Sequence, residues 1–175
     1  MCAAEPVGRV KLGSLLPQIG AEAGGLETEC VRRPDLRAGE LRVILLDTDV
    51  ASEPLKTGTG DPRVIAWLDR QSIETLYLST LTVAEVLYGI AVLAVSRRRD
   101  ELHRRVTEEV FPQFASRILV FDVAAPRAAA RAAGRTIPDA DSFIVALAIS
   151  RGLALARRNA KHSAAIGLQI INPWD

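Results

Sequence analysis

The sequence predicts an α/β protein, a small parallel sheet of four to five strands with helices on both faces. Three observations carry that expectation. Val43-Ile44-Leu45-Leu46 is an unbroken apolar run that leads straight into Asp47, and so short a run fits a strand buried on both faces, as in parallel sheets. Strand-like and helix-like segments alternate from there onward, which favours parallel pairing through helical crossovers. Acids also recur just after strands and in the first turns of helices, at the rim where open α/β sheets hold their ligands.

The chain has 175 residues, 49% of them hydrophobic and 25% charged, enough for one globular domain with a useful core. A formal net charge of +1 gives no general pull toward nucleic acid or membrane, so any such affinity must come from local charge. Cys2 and Cys30 both fall in the N-terminal stretch. Two cysteines there suggest neither a disulfide framework nor a metal site, and a reducing cytosol is the natural setting. No apolar run is long enough to cross a bilayer, and Leu15-Leu16-Pro17 is too brief for a signal-peptide core. The expected location is cytoplasmic, with no membrane partner.

Residues 1–41 are rich in Gly, Glu, Arg and Pro and lack sustained periodicity. They read as a poorly ordered tail, and residues 42–175 as the folded domain. After the first strand comes a polar turn, Lys56-Thr57-Gly58-Thr59-Gly60-Asp61-Pro62. Pro62 suits a first helical position, and Val64, Ile65 and Leu68 make the helix amphipathic. Thr75–Ser79 alternates and reads as the second strand. Thr82-Val83-Ala84-Glu85 has the form of a capping box, with Val83, Val86, Leu87 and Ile90 continuing at helical spacing. A charged helix runs from Arg97 to about Ala115 with Leu102, Val106 and Val110 inward; Arg97-Arg98-Arg99 is its solvated surface. Arg117–Phe121 is the third strand, and Ala124–Ala133 an alanine-rich helix ending at Gly134. Pro138-Asp139-Ala140-Asp141 opens a helix carrying Ile144, Leu147 and Ala148. Leu153–Ala156 and Leu168–Ile171 read as the fourth and fifth strands.

Each acid alone has a structural explanation. Asp47 can cap the turn that follows it. Glu85 can close its capping box, worth about 0.5–2 kcal/mol. Asp141 can favour the positive end of its helix, worth roughly 0.3–1 kcal/mol. Together, however, the three share one rim of a parallel sheet. Carboxylates gathered there repel by about 4 kcal/mol per pair at about 4 Å, for an effective dielectric near 20. A hard divalent cation, Mg²⁺ or Mn²⁺, offsets that repulsion, whereas no His or Cys pair has zinc spacing. Arg157, Arg158 and Lys161 follow a strand at the same rim, where they can meet phosphates or form a solvated basic loop.

Four segments resemble the PIN-domain ribonucleases, and within them the VapC toxins of toxin–antitoxin pairs, in their FitB-like branch. They are Ile44-Leu45-Leu46-Asp47-Thr48-Asp49-Val50, Ser79-Thr80-Leu81-Thr82-Val83-Ala84-Glu85-Val86, Ala140-Asp141-Ser142-Phe143-Ile144-Val145-Ala146, and Arg158-Asn159 followed by Asn172-Pro173-Trp174. The resemblance implies a three-layer α/β/α fold and Mg²⁺- or Mn²⁺-dependent cleavage of RNA. It implies metal binding by Asp47, Glu85 and Asp141, with Thr48 and Asn159 in support. It further implies a homodimer and a cognate VapB-type antitoxin, through which alone operator DNA is bound.

The chain departs from the family pattern in three places. His162 stands where a fourth acid is usual, and either His162 or Asp49 is then the additional ligand; an imidazole there suits softer ions than Mg²⁺ and removes one negative charge. Arg157 stands where Thr is common. Residues 1–41 have no family counterpart, and Met1 is the sole methionine. A natural start at Val43 is therefore expected, which the intact mass of protein from its native locus decides. Two other readings remain open from sequence. Leu46-Asp47-Thr48-Asp49-Val50 also fits the opening of haloacid-dehalogenase-type phosphotransferases, with Asp47 as nucleophile, although no lysine lies between Lys56 and Lys161. The other is a catalytically weak PIN relative that mainly binds its antitoxin.

Overall fold

A computed structural model of the chain describes residues 43–56, 58–122, 125, 141–159 and 168–175. The expected tail, the alanine-rich helix beyond Ala125, Lys161 and His162 lie outside the described residues. Five strands form a wholly parallel sheet: β1 (Ile44–Leu46), β2 (Leu76–Ser79), β3 (Ile118–Leu119), β4 (Ala154–Ala156) and β5 (Ile170–Ile171). Their order is β3-β2-β1-β4-β5. The chain thus steps outward from β1 on one side, then returns to place β4 on its other side. That reversal makes the carboxyl ends of β1 and β4 the topological switch point, the place where such sheets leave a crevice.

Alternation along each strand builds two cores. Ile44 and Leu46 join Leu76, Leu78, Ala154 and Ala156 on one face, covered by Val50, Val64, Leu68, Val86, Ile90, Val106, Phe111 and Phe114. Leu45 and Leu155 face the other way, onto Ile144, Val145, Leu147 and Ala148. Both faces are dry, which explains why Val43–Leu46 carries no polar alternation. Leu45 is fully buried, and cutting it back to Ala would cost about 2–5 kcal/mol.

The helices on the first face are α1 (Thr48–Ser52), α2 (Pro62–Arg70), α3 (Thr80–Ala91) and α4 (Arg97–Arg105). On the second lies α5 (Asp141–Arg151). Asp61 caps α2 by accepting from the Arg63 N–H, with Pro62 in the first turn, as the sequence suggests. The expected long helix from Arg97 ends its regular α stretch at Arg105, passes through a π turn at Val106–Val110 and tightens to 3₁₀ over Phe111–Arg117. Pro112 has no N–H for the carbonyl four residues back, so α-helical bonding cannot continue through it. β3 is shorter than the expected Arg117–Phe121, because it is an edge with one neighbour and Val120 already turns outward.

The capping-box reading of Thr82 and Glu85 is corrected. Helix α3 begins earlier, at Thr80, and its cap is Ser79, whose hydroxyl accepts from the Thr82 N–H at 2.9 Å. Thr82 is fully buried in the first turn, and Glu85 lies in the second. Glu85 is thereby relieved of any capping duty.

Candidate active site

Asp47 leaves the end of β1 directly into α1. Its N–H donates to the Ala156 carbonyl at 2.9 Å, completing the β1–β4 ladder, and one carboxylate oxygen accepts from the Thr48 N–H at 2.9 Å. Asp47 is therefore the N-cap of α1, as its structural explanation required. It is also only 4% exposed, and a carboxylate that dry needs more than a cap to stay charged. Part of the balance comes from Arg157, whose Nε lies 3.3 Å from Oδ2 of Asp47.

The Thr48 hydroxyl donates to the Glu85 carboxylate. A single residue thus links the first two acids, its N–H held by Asp47 and its hydroxyl by Glu85. Beneath them the Ser79 and Thr82 hydroxyls lie 2.9 Å apart. Thr82 also donates to the Leu46 carbonyl at 3.4 Å, so the ends of β1 and β2 and the start of α3 are tied at one level. This buried hydroxyl pair was not singled out by sequence. The signal available was a Ser-x-x-Thr spacing at the end of an apolar strand.

Asp141 is the first residue of α5, and α5 packs against α3. The Asp141 side chain lies outside the description. Asp49 is exposed in the first turn of α1, and Asn159 is exposed just beyond β4. Arg158 is exposed too, with its guanidinium 5.3 Å over the ring of Trp174; Trp174 is itself buried and ordered by Asn172, which accepts from its N–H at 3.2 Å. Arg157 does not lie in a solvated basic loop beside it. At 6% exposure it is turned inward onto Asp47. Residues 47 and 157 follow neighbouring strands, and the register of β1 against β4 could have found the pair.

An open groove of about 1060 Å³ starts at Thr48 and Glu85 and runs along α3 and α4, past Lys56, Ile90, Leu102 and Arg105. Its lining includes Thr48 and Glu85 together with the basic side chains of Lys56, Arg98, Arg99 and Arg105. A smaller cavity of about 40 Å³ is walled by Leu46, Leu68, Phe111 and Phe114. Its lining is mostly apolar, with Thr82, Glu109 and Gln113 the polar exceptions. Among the described residues no three acids or histidines close into a metal cage. The two acids joined through Thr48, Asp47 and Glu85, offer only hard oxygen donors, the donor type that suits Mg²⁺ or Mn²⁺.

A doubly wound parallel sheet with carboxylates at its switch point defines a class of α/β proteins, and one family of that class fits this chain over residues 44–166, the PIN domain. The chain belongs to the PIN-domain family. Over 139 residues it is 43% identical to the plasmid stability protein StbB of Pseudomonas syringae pv. tomato and 43% identical to the VapC ribonuclease Y4jK of Sinorhizobium fredii, each alignment covering 76% of this chain and 99% of the relative. Toxin FitB of Neisseria gonorrhoeae is 40% identical over 138 residues, 75% of this chain and 99% of FitB. The solved structure of FitAB bound to an IR36 DNA fragment superposes with a TM-score of 0.69 at 37% identity, covering 76% of this chain and 96% of the other. No helix among the described residues is long and apolar enough to cross a membrane.

Proposed function

We propose that this protein is a divalent-metal-dependent endoribonuclease, the toxin of a type II toxin–antitoxin pair, which restrains growth by cutting RNA. One observation carries the reading: Glu85 has no part in capping its helix and is instead held by the hydroxyl of Thr48, whose N–H donates to the carboxylate of Asp47 at the end of β1. Family membership and the names of its relatives, VapC ribonuclease and toxin FitB, support it.

Asp47, Glu85 and Asp141 would hold the ion, with Asp49 or His162 as a further ligand. When bound, Mg²⁺ or Mn²⁺ lowers the pKa of a water and offsets charge building on the scissile phosphate. The chain's own contribution is positioning. Thr48 fixes the orientation of Glu85, Asp47 is fixed by the α1 N-terminus, and Arg158 with Lys161 would meet the RNA backbone at the rim. Asn159 would support the site from the loop after β4.

The partners proposed are an RNA substrate, a second copy of the chain in a homodimer, and a VapB-type antitoxin. The FitAB–DNA complex supports operator binding through the antitoxin. The haloacid-dehalogenase reading is set aside by the family match. Induction in a bacterial host, with and without the upstream gene, followed by mapping of RNA 5′ ends, tests the proposal. New 5′ ends should appear without the antitoxin and vanish in Asp47→Asn; unchanged cleavage in that variant would remove Asp47 from the mechanism.

The Arg157–Asp47 pair favours a second reading, a catalytically weak relative that chiefly binds its antitoxin. Calorimetry with Mn²⁺ separates the two, since that reading requires negligible affinity.

A further inference from the structure

We infer that Arg157 is a built-in counter-ion for Asp47, a positioning residue that holds the first carboxylate without metal and forces a divalent cation to compete for it. The inference rests on the metal-nuclease reading above. The two residues leave the two central strands side by side: Leu46 is in register with Ala156, and the Asp47 N–H bonds to the Ala156 carbonyl at 2.9 Å. Both carboxylate oxygens of Asp47 are engaged, Oδ1 by the Thr48 N–H at 2.9 Å and Oδ2 by Arg157 Nε at 3.3 Å. The side chains of Arg157 and Asp47 are 8% and 6% exposed.

A long arginine ordinarily lays its stem on the protein and keeps its head in water, as its exposed neighbour Arg158 can. Turning the head of Arg157 inward removes a charge from water, which proteins tolerate when an opposite charge receives it. A divalent ion approaching Oδ2 meets a positive group already there. It must displace Arg157 or sit beside it, and like charges at a poorly hydrated rim repel. The site therefore binds metal more weakly than its carboxylates alone would, while the metal-free protein is better held.

Mn²⁺ calorimetry on the full chain, with metal-free melting curves, tests this in wild type, Arg157→Gln and Arg157→Thr. Arg157→Gln puts a neutral amide nitrogen where Nε stood and removes the charged guanidinium head, a smaller change to the packing than Arg157→Thr. Both variants should bind Mn²⁺ about tenfold more tightly or better and should melt at lower temperature without metal. Glu85→Gln should bind less Mn²⁺ than wild type, which ties the heat to this site. Equal or weaker Mn²⁺ binding in Arg157→Gln, with wild type still binding, overturns the inference and leaves the nuclease reading standing. Absence of binding and of any Mn²⁺-dependent melting shift in all the proteins overturns the nuclease reading, and this inference with it.

Discussion

The Thr48 hydroxyl donates to the carboxylate of Glu85, a residue 37 positions away in the chain. This bond joins the helix that follows β1 to the helix that follows β2, and it sets the direction of an acid that would otherwise swing freely from the second turn of α3. Replacing Thr48 with Val keeps the shape and removes the donor. Loss of a single hydrogen bond of this kind costs about 0.5–1.5 kcal/mol, so the domain should stay folded. RNA cleavage should fall at least about tenfold, since a slightly misplaced group is enough to cost that much, and Thr48→Ser should restore most of it. Cleavage assays beside melting curves check both halves.

Ser79 and Glu85 should separate stability from activity. Ser79 caps α3 through the Thr82 N–H, so Ser79→Ala should cost about 0.5–2 kcal/mol. Glu85→Gln leaves that cap untouched. It should abolish cleavage with little change in the urea midpoint, and a large loss of stability in Glu85→Gln would instead make Glu85 a structural residue.

The loop after α1 turns on a close approach. A Cβ built on Gly60 would stand 2.5 Å from the Glu53 carbonyl oxygen, a backbone atom that cannot swing aside. Glu53 is itself buried, its carboxylate paired with Lys56 Nζ at 2.7 Å and accepting from the Asp61 N–H at 2.8 Å. Gly60→Ala should therefore destabilise the domain by about 1–3 kcal/mol, read as a lowered urea midpoint. Gly89→Ala, with open space around its Cβ position, is the control and should be neutral or slightly stabilising in its helix.

Acid dependence should trace to the α2 cap. The side-chain hydrogen bond from Arg63, with the backbone bond from the same residue, pulls the Asp61 carboxyl below its ordinary 3.8. A carboxyl whose folded pKa lies below its unfolded one contributes fully above the unfolded value and loses that contribution as pH falls through the folded one. The melting-temperature gap between wild type and Asp61→Asn should accordingly be steady at neutral pH and close as the pH drops below 3.8. A gap that widens in acid would contradict this assignment.

The architecture was legible because burial on both faces leaves an unmistakable mark. Val43–Leu46 has no polar alternation, and that alone places it at the centre of a parallel sheet. Pro62 and Leu68 marked α2 for equally local reasons. The start of α3 was not legible, because Ser79, Thr80 and Thr82 all carry hydroxyls that can cap; the choice falls to Ser79 through its place at the end of β2, a tertiary fact. Arg157 and Arg158 are chemically identical neighbours in the sequence, yet one is packed onto Asp47 and the other lies over Trp174. What separates them is the strand order, which brings β4 beside β1 and so presents one arginine with a buried carboxylate.

The same strand order governs when the protein can act as it is made. β1 leaves the ribosome early, but its second neighbour, β4, comes near the end of the domain and slots between β1 and β5. Long-range parallel pairing is slow to form and waits on distant chain. A nascent chain halted before Leu153 has no β4 and no Arg157 to receive the charge of Asp47. The pairing of Asp47 with Arg157 therefore forms only after nearly all of the domain has been made.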